Sequence, residues 1–198
     1  MDFKSLKNDI PLPIRLFLGK AVLLFVLWKL VYTFFLSDIR LLDQPLTEHV
    51  GEASVFVLNG LGDMSGFSAK NEVSTYIEGA GLVTQKASQI YHYDRLVLHI
   101  ADICNALELM ILYIGFIVCM PSGFWRKVFY IIIGVILIDI INILRCVGLI
   151  YLREYYHAYF DFAHHYLFKA TVYTATFLMW MFYARKISLK RNEPIQIR

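Results

Sequence analysis

A cysteine, an arginine and a histidine in apolar surroundings are the parts of a thiol acyl-transfer site, and this 198-residue chain holds such a set in Cys104, Arg145 and His165. Each sits in or beside a long hydrophobic run with other polar residues close by: Asp102, Asn105 and Glu108 around the cysteine, Asp139 and Asn142 before the arginine, Asp161 and His164 before His165. Polar and ionisable groups are costly inside a bilayer, so within apolar segments they mark a functional site. A thiol attacks as its thiolate, which a nearby cation favours. Histidine can take that proton and return it to a leaving amine. Arginine stays charged at any accessible pH and can hold a developing oxyanion.

Taken singly, each residue has an ordinary reading. A lone cysteine in a span is a small packing residue, an arginine near a helix end snorkels to the headgroups, and a boundary histidine belongs to the interface. The joint pattern argues otherwise, because several accidents would not also supply the neighbouring acceptors Asp102, Asn105, Glu108, Asp139 and Asn142.

The elements that position these residues are predicted from hydropathy. With 58% hydrophobic, 16% aromatic and 18% charged residues and a mean hydropathy of +0.55, the chain is expected to be an all-α polytopic membrane protein in a single membrane domain. Four spans are predicted, at about 16–36, 96–120, 128–152 and 166–183, each near the ~20 residues a spanning helix needs. Between the first two lies an insert, 38–95, with eight acidic residues against four basic ones; an interfacial helix is expected at 50–61, and 82–97 alternates too loosely to be read as a strand. An aromatic and charged outer loop covers 153–163, and a basic tail 184–198. Around Ser37 there is no small-residue cleavage pattern, so the first span reads as an uncleaved anchor. Basic residues gather at the termini and at Arg126-Lys127, which places both termini in the cytoplasm, the insert and outer loop outside, and the site on the outer face of the cytoplasmic (inner) membrane. A net charge of +3 gives no reason to expect nucleic acid, and Cys104, Cys119 and Cys146 form neither a CxxC motif nor a disulfide framework.

On this layout Cys104 enters the second span from outside and Arg145 leaves the third, so both lie in the outer leaflet with His165 at its rim. Asn142 and Arg145 share a helix face at i, i+3, and Cys104 would share one with Glu108 at i, i+4. A Cys104–Cys146 disulfide is conceivable if their helices adjoin.

At these residues the chain resembles the exosortase/archaeosortase family of membrane cysteine transpeptidases. Cys104-Asn105-Ala106-Leu107 is similar to the family's Cys-Ser-Gly-Leu type block, Asn142-Ile143-Leu144-Arg145 to its Asn-x-x-Arg block, and His165-Tyr166-Leu167-Phe168 to its late histidine block. The short length and the Cys-Asn-Ala-x-Glu-Leu wording most resemble the small exosortase-F-like branch of Bacteroidetes. Two departures stand out: Asn105-Ala106 replaces Ser-Gly, and Lys169 stands where a glycine is common. The resemblance implies a thiol protease and transpeptidase, a hydrolase class, that cleaves C-terminal sorting signals of exported proteins, each a short motif followed by a transmembrane helix and a basic tail. It implies catalytic Cys104, Arg145 and His165, supported by His164, Asn142, Asn105, Glu108 and Asp161, with no cofactor and no metal. The choice between His164 and His165 stays open, with His165 preferred in register. Larger members have more spans, so a membrane partner protein is also expected.

Three other readings compete. His157, Asp161, His164 and His165 could hold a metal, since Asp161 and His165 lie at i, i+4. The polar residues could instead bind helices together in a membrane scaffold or assembly factor. Asp102, Glu108, Asp139 and Arg145 could form a proton path, although they gather toward one face.

Overall fold

The computed structural model describes residues 12–36, 40–61, 65–78 and 81–191. The N-terminal polar segment before residue 12, the end of the basic tail and the Ser37-Asp38 junction fall outside these. Among the described residues six α-helices and three strands follow one another: α1 (Leu12–Val31), continued by a π-helical turn to Leu36; α2 (Asp43–Gly60); β1 (Phe67–Glu78), β2 (Gly81–His92) and β3 (Arg95–Ile100); α3 (Leu107–Cys119); α4 (Phe124–Tyr155); α5 (His157–Phe162), which runs through a π-helical turn (Ala163–Leu167) into α6 (Phe168–Arg191).

The chain is therefore mostly helical but not all-α. The insert is built as a helix and a three-stranded antiparallel sheet in the order β1-β2-β3, with β1 and β2 in register from Phe67 opposite His92 to Glu78 opposite Gly81. β3 is where the sequence reading departs most, since the expected span 96–120 is a strand, a turn and a 13-residue helix. Leu-Val-Leu-His-Ile and the apolar helix after it read as one hydrophobic segment with Asp102 and Asn105 inside it, and a short apolar run does not distinguish strand from helix by periodicity. At 1.5 Å per residue α3 covers about 20 Å, short of the ~30 Å hydrocarbon core. The outer loop expected at 153–163 is helical almost throughout.

In α2, Asp43, Thr47, Val50, Ser54 and Leu58 recur at helical spacing and are all buried, forming one face. That face lies flat on the sheet. At Gly51 a Cβ would come within 2.0 Å of the Ser88 hydroxyl, so only glycine permits the approach. Val50 and Leu58 join Phe67, Ile90, Val97 and Ile100 of the sheet and Cys146 and Ile150 of α4 in one core. A second core, at the other end of α4, gathers Leu109, Met110, Tyr113, Ile117, Ile138, Val172 and Tyr183 from α3, α4 and α6.

Among the described residues α4 is the helix long and apolar enough to cross a membrane, and α3 is a shorter apolar one. α4 has 32 residues, about 48 Å, which exceeds a hydrocarbon core by more than a third. Its C-terminal part carries the sheet and α2. Toward its beginning it turns Phe129, Ile132, Ile136 and Ile140 outward, as α1 does Val22, Leu23 and Phe25.

Candidate active site

Cys104 lies not on a spanning helix but in the turn between β3 and α3. Asp102–Cys104 form one 3₁₀ turn, closed by hydrogen bonds from the Cys104 N–H to the Ala101 carbonyl (2.9 Å) and from the Asn105 N–H to the Asp102 carbonyl (3.1 Å). The expected i, i+4 pairing of Cys104 with Glu108 therefore does not arise. Asn105 is buried and works in two directions: its side-chain oxygen accepts the Leu107 N–H at 2.9 Å, and its amide donates to the Asp43 carboxylate at 3.0 Å. Ala106, between them, has φ +63°, a left-handed backbone that favours glycine. This is the position at which the related block carries Gly, so the departure to alanine falls on a strained residue.

On the other side of the cysteine, Asp102 is held by a fork. Arg40 donates through Nε and Nη2 to its two carboxylate oxygens at 2.7 and 2.6 Å, and the Thr47 hydroxyl donates to one of them at 2.8 Å. The Tyr32 hydroxyl donates to Asp43 at 2.7 Å. Arg40, Asp43, Thr47 and Tyr32 were not singled out from the sequence. None lies in a motif, and only the packing of α2 beside the cysteine turn brings them in.

Asn142 and Arg145 share a face of α4, as their spacing predicts. Asn142 is fully buried and its amide donates to the Cys104 carbonyl at 2.8 Å. Arg145 donates through Nη1 to the Asn142 side-chain oxygen (3.3 Å) and through Nη2 to the Cys104 sulfur (3.8 Å). Its Nε is buried with no hydrogen-bond partner among the described residues. Guanidinium and thiol thus meet across 41 residues of sequence.

The two histidines differ. His165 is exposed and its Nδ1 bonds the Asp161 backbone carbonyl (2.9 Å), a contact within its own turn. His164 is half-buried, stacks on Phe160 with ring centres 5.6 Å apart, and lies within the field of Arg145. Ahead of the last expected span, its imidazole titrates below the ordinary 6.5, chiefly because burial disfavours the cation and further because Arg145, His165 and Lys169 repel it; Asp161 opposes them.

Beside the turn opens a cavity of about 440 Å³, lined by Asp102, Asn105, Glu108, Arg145, Lys169 and Tyr173 among others. Arg145 belongs to both the cavity wall and the thiol contact. Glu108, exposed at the head of α3, pairs with Lys29 of α1.

Comparison with known proteins identifies the fold's family: the family model for transmembrane exosortases matches residues 13–183, from α1 to well into α6. The chain belongs to the transmembrane exosortase family. No curated protein and no solved structure gives a significant match.

As an exosortase the chain is a membrane protein, and its remaining polar residues can be placed in that light. Asp139, which the sequence sets one turn before Asn142, bonds His49 of α2 at 3.0 Å. Cys104 and Cys146 meet the same core, and neither they nor Cys119 is joined in a disulfide among the described residues. Among the described residues no three His, Cys, Asp or Glu side chains gather as a metal would require, so His157, Asp161, His164 and His165 are not drawn together.

Proposed function

We propose that this exosortase is a cysteine transpeptidase that cleaves the C-terminal sorting signal of exported proteins at the outer face of the cytoplasmic membrane, with Cys104 as nucleophile. The observation that carries the reading is the Arg145 Nη2 contact to the Cys104 sulfur, fixed by Asn142 holding both partners. A guanidinium against sulfur favours the thiolate. In the reaction the Cys104 sulfur bonds the scissile carbonyl carbon while Arg145 neutralises the oxyanion. The C–N bond then breaks, the amine leaves with a proton from histidine, and a thioester remains for an amine or water to resolve.

His164 takes the acid–base role in preference to His165. It faces Arg145 from a half-buried position, and a lowered imidazole is neutral near pH 7 and able to accept a proton. The cavity beside Arg145 is the natural seat for the peptide around the scissile bond. A four-span layout with both termini inside, its second span reduced to the short helix α3, the place in the small exosortase-F-like branch and the partner membrane protein belong to this same reading. The basic termini and the aromatic residues Tyr155, Tyr156 and Tyr159 at the outer end of α4 support the orientation.

The test compares the C-termini of surface proteins in native cells carrying the wild-type chain or Cys104→Ala at equal abundance. Retention of a C-terminal transmembrane helix and basic tail on a set of proteins in the mutant alone is the expected result. Identical C-termini in both strains would retire the nucleophile and leave a scaffold.

A further inference from the structure

The cysteine turn is a short connection that should be free to move, yet it is bonded from both flanks. Upstream of the sulfur, Asp102 receives three hydrogen bonds, two from Arg40 and one from Thr47. Downstream, Asn105 donates to Asp43, with a longer contact to Thr47 at 3.4 Å. Arg40 and Asp102 are themselves mostly buried, their side chains 15% and 17% exposed. Arg40 also has a left-handed backbone, φ +49°, which an arginine adopts only when its surroundings impose it. All these anchors come from the stretch between α1 and the end of the first turn of α2, a part of the chain that holds no reacting group.

We infer that Arg40 is a positioning residue for the reaction: through its fork on Asp102 the insert sets the Cys104 sulfur against Arg145, so the insert is part of the active-site frame and not a cap. The thiol contact is long, at 3.8 Å, so the placement of the turn decides whether the guanidinium reaches the sulfur. A bidentate arginine–carboxylate pair fixes distance and angle together. A shift of the turn by about 1 Å would take the sulfur out of the guanidinium's reach and cost on the order of 10²-fold in rate. The inference rests on Cys104 being the nucleophile.

The titratable and charged groups around the turn are Arg145 and Cys146 from α4, Asp102 with Arg40, Asp43 with Tyr32, Glu108 with Lys29, and Lys169 from α6. Arg145 contacts the sulfur directly, and the fork of Arg40 acts on it through Asp102 and the backbone of the turn.

The experiment is alkylation of Cys104 by a small neutral reagent as a function of pH, on the full-length chain in detergent with Cys119 and Cys146 replaced by alanine. The variants are Arg40→Met, Arg40→Lys and the double variant Arg40→Met with Asp102→Leu. The single Met variant leaves a buried carboxylate without its cation and is expected to lose stability. The double variant removes both partners and avoids that cost. Positioning predicts that the double variant unfolds thermally like wild type while its alkylation midpoint moves up by about one pH unit or more, with Arg40→Lys in between. A folded double variant with the wild-type midpoint would overturn the inference and assign the pair to stability alone. If instead wild-type Cys104 alkylates with the profile of an unperturbed peptide thiol, and Arg145→Met leaves that profile unchanged, the nucleophile reading itself has failed.

Discussion

The cysteine turn and the histidine turn face the same arginine but are held in opposite ways. Cys104 is flanked by residues bonded to three other parts of the chain: Asp102 to Arg40 and Thr47, Asn105 to Asp43, and its own carbonyl to Asn142. His164 and His165 are held from within their own segment, one by stacking on Phe160 and the other by the Asp161 carbonyl. On the proposed reading, the side that would attack a carbonyl carbon at a defined angle is built into a long-range network. The side that would only pass a proton rests on one helical turn.

The largest way to break this contrast is at its centre. Replacing Arg145 by Met is expected to lower processing by about 10²–10³-fold, the usual loss for an oxyanion donor, and Arg145→Lys should recover little because a point charge cannot bridge Asn142 and the sulfur. The fraction of mature C-termini in a pulse-chase measures both. Next comes the histidine pair. His164→Ala should cost about 10²-fold or more, whereas His165→Ala should stay within about threefold; equal losses would erase the distinction drawn between them. The same assay across pH sharpens it. A base that acts in its neutral form loses activity as pH falls, and because burial lowers His164, the acid limb should lie below 6.5 and vanish with His164→Ala.

Smaller effects probe the network. Asn142→Leu leaves the Cys104 carbonyl without its donor, for an expected loss of about 1–3 kcal/mol in thermal unfolding. Ala106→Gly relieves the left-handed backbone and should raise stability by about 1 kcal/mol with activity retained. A loss of stability there would mean that the turn is not strained by alanine.

Parts of this arrangement were legible in the sequence for a physical reason. Asn142 and Arg145 lie on one helix, where spacing alone gives a shared face, and an apolar run of α4's length admits little else. Asp102 and Asn105 stood out as polar residues in a hydrophobic stretch. The sheet was not legible, because β3 and α3, parted only by the turn with Asp102 and Asn105, together have the length and hydropathy of one span, and the depth assigned to Cys104 on a spanning helix went with it. Nor was Arg40, since an arginine in an acidic segment looks solvated until α2 is folded beside the turn. His164 and His165 are adjacent, and only the folded turn shows that His164 is the half-buried ring within the field of Arg145.

The length of α4 makes it a ruler. Phe124 and Trp125, exposed at its start, are the kind of aromatic residues that anchor at the headgroups, and Arg145 follows Trp125 by twenty residues, about 30 Å of helix. That is the depth of an ordinary hydrocarbon core, so with the aromatic pair at the headgroups and the orientation proposed above, the guanidinium would emerge where acyl chains give way to water. Lipids with longer tails would drown it, and those with shorter tails would lift it clear. On that placement membrane thickness becomes a condition for the proposed turnover, and reconstitution in bilayers of graded chain length should trace an optimum.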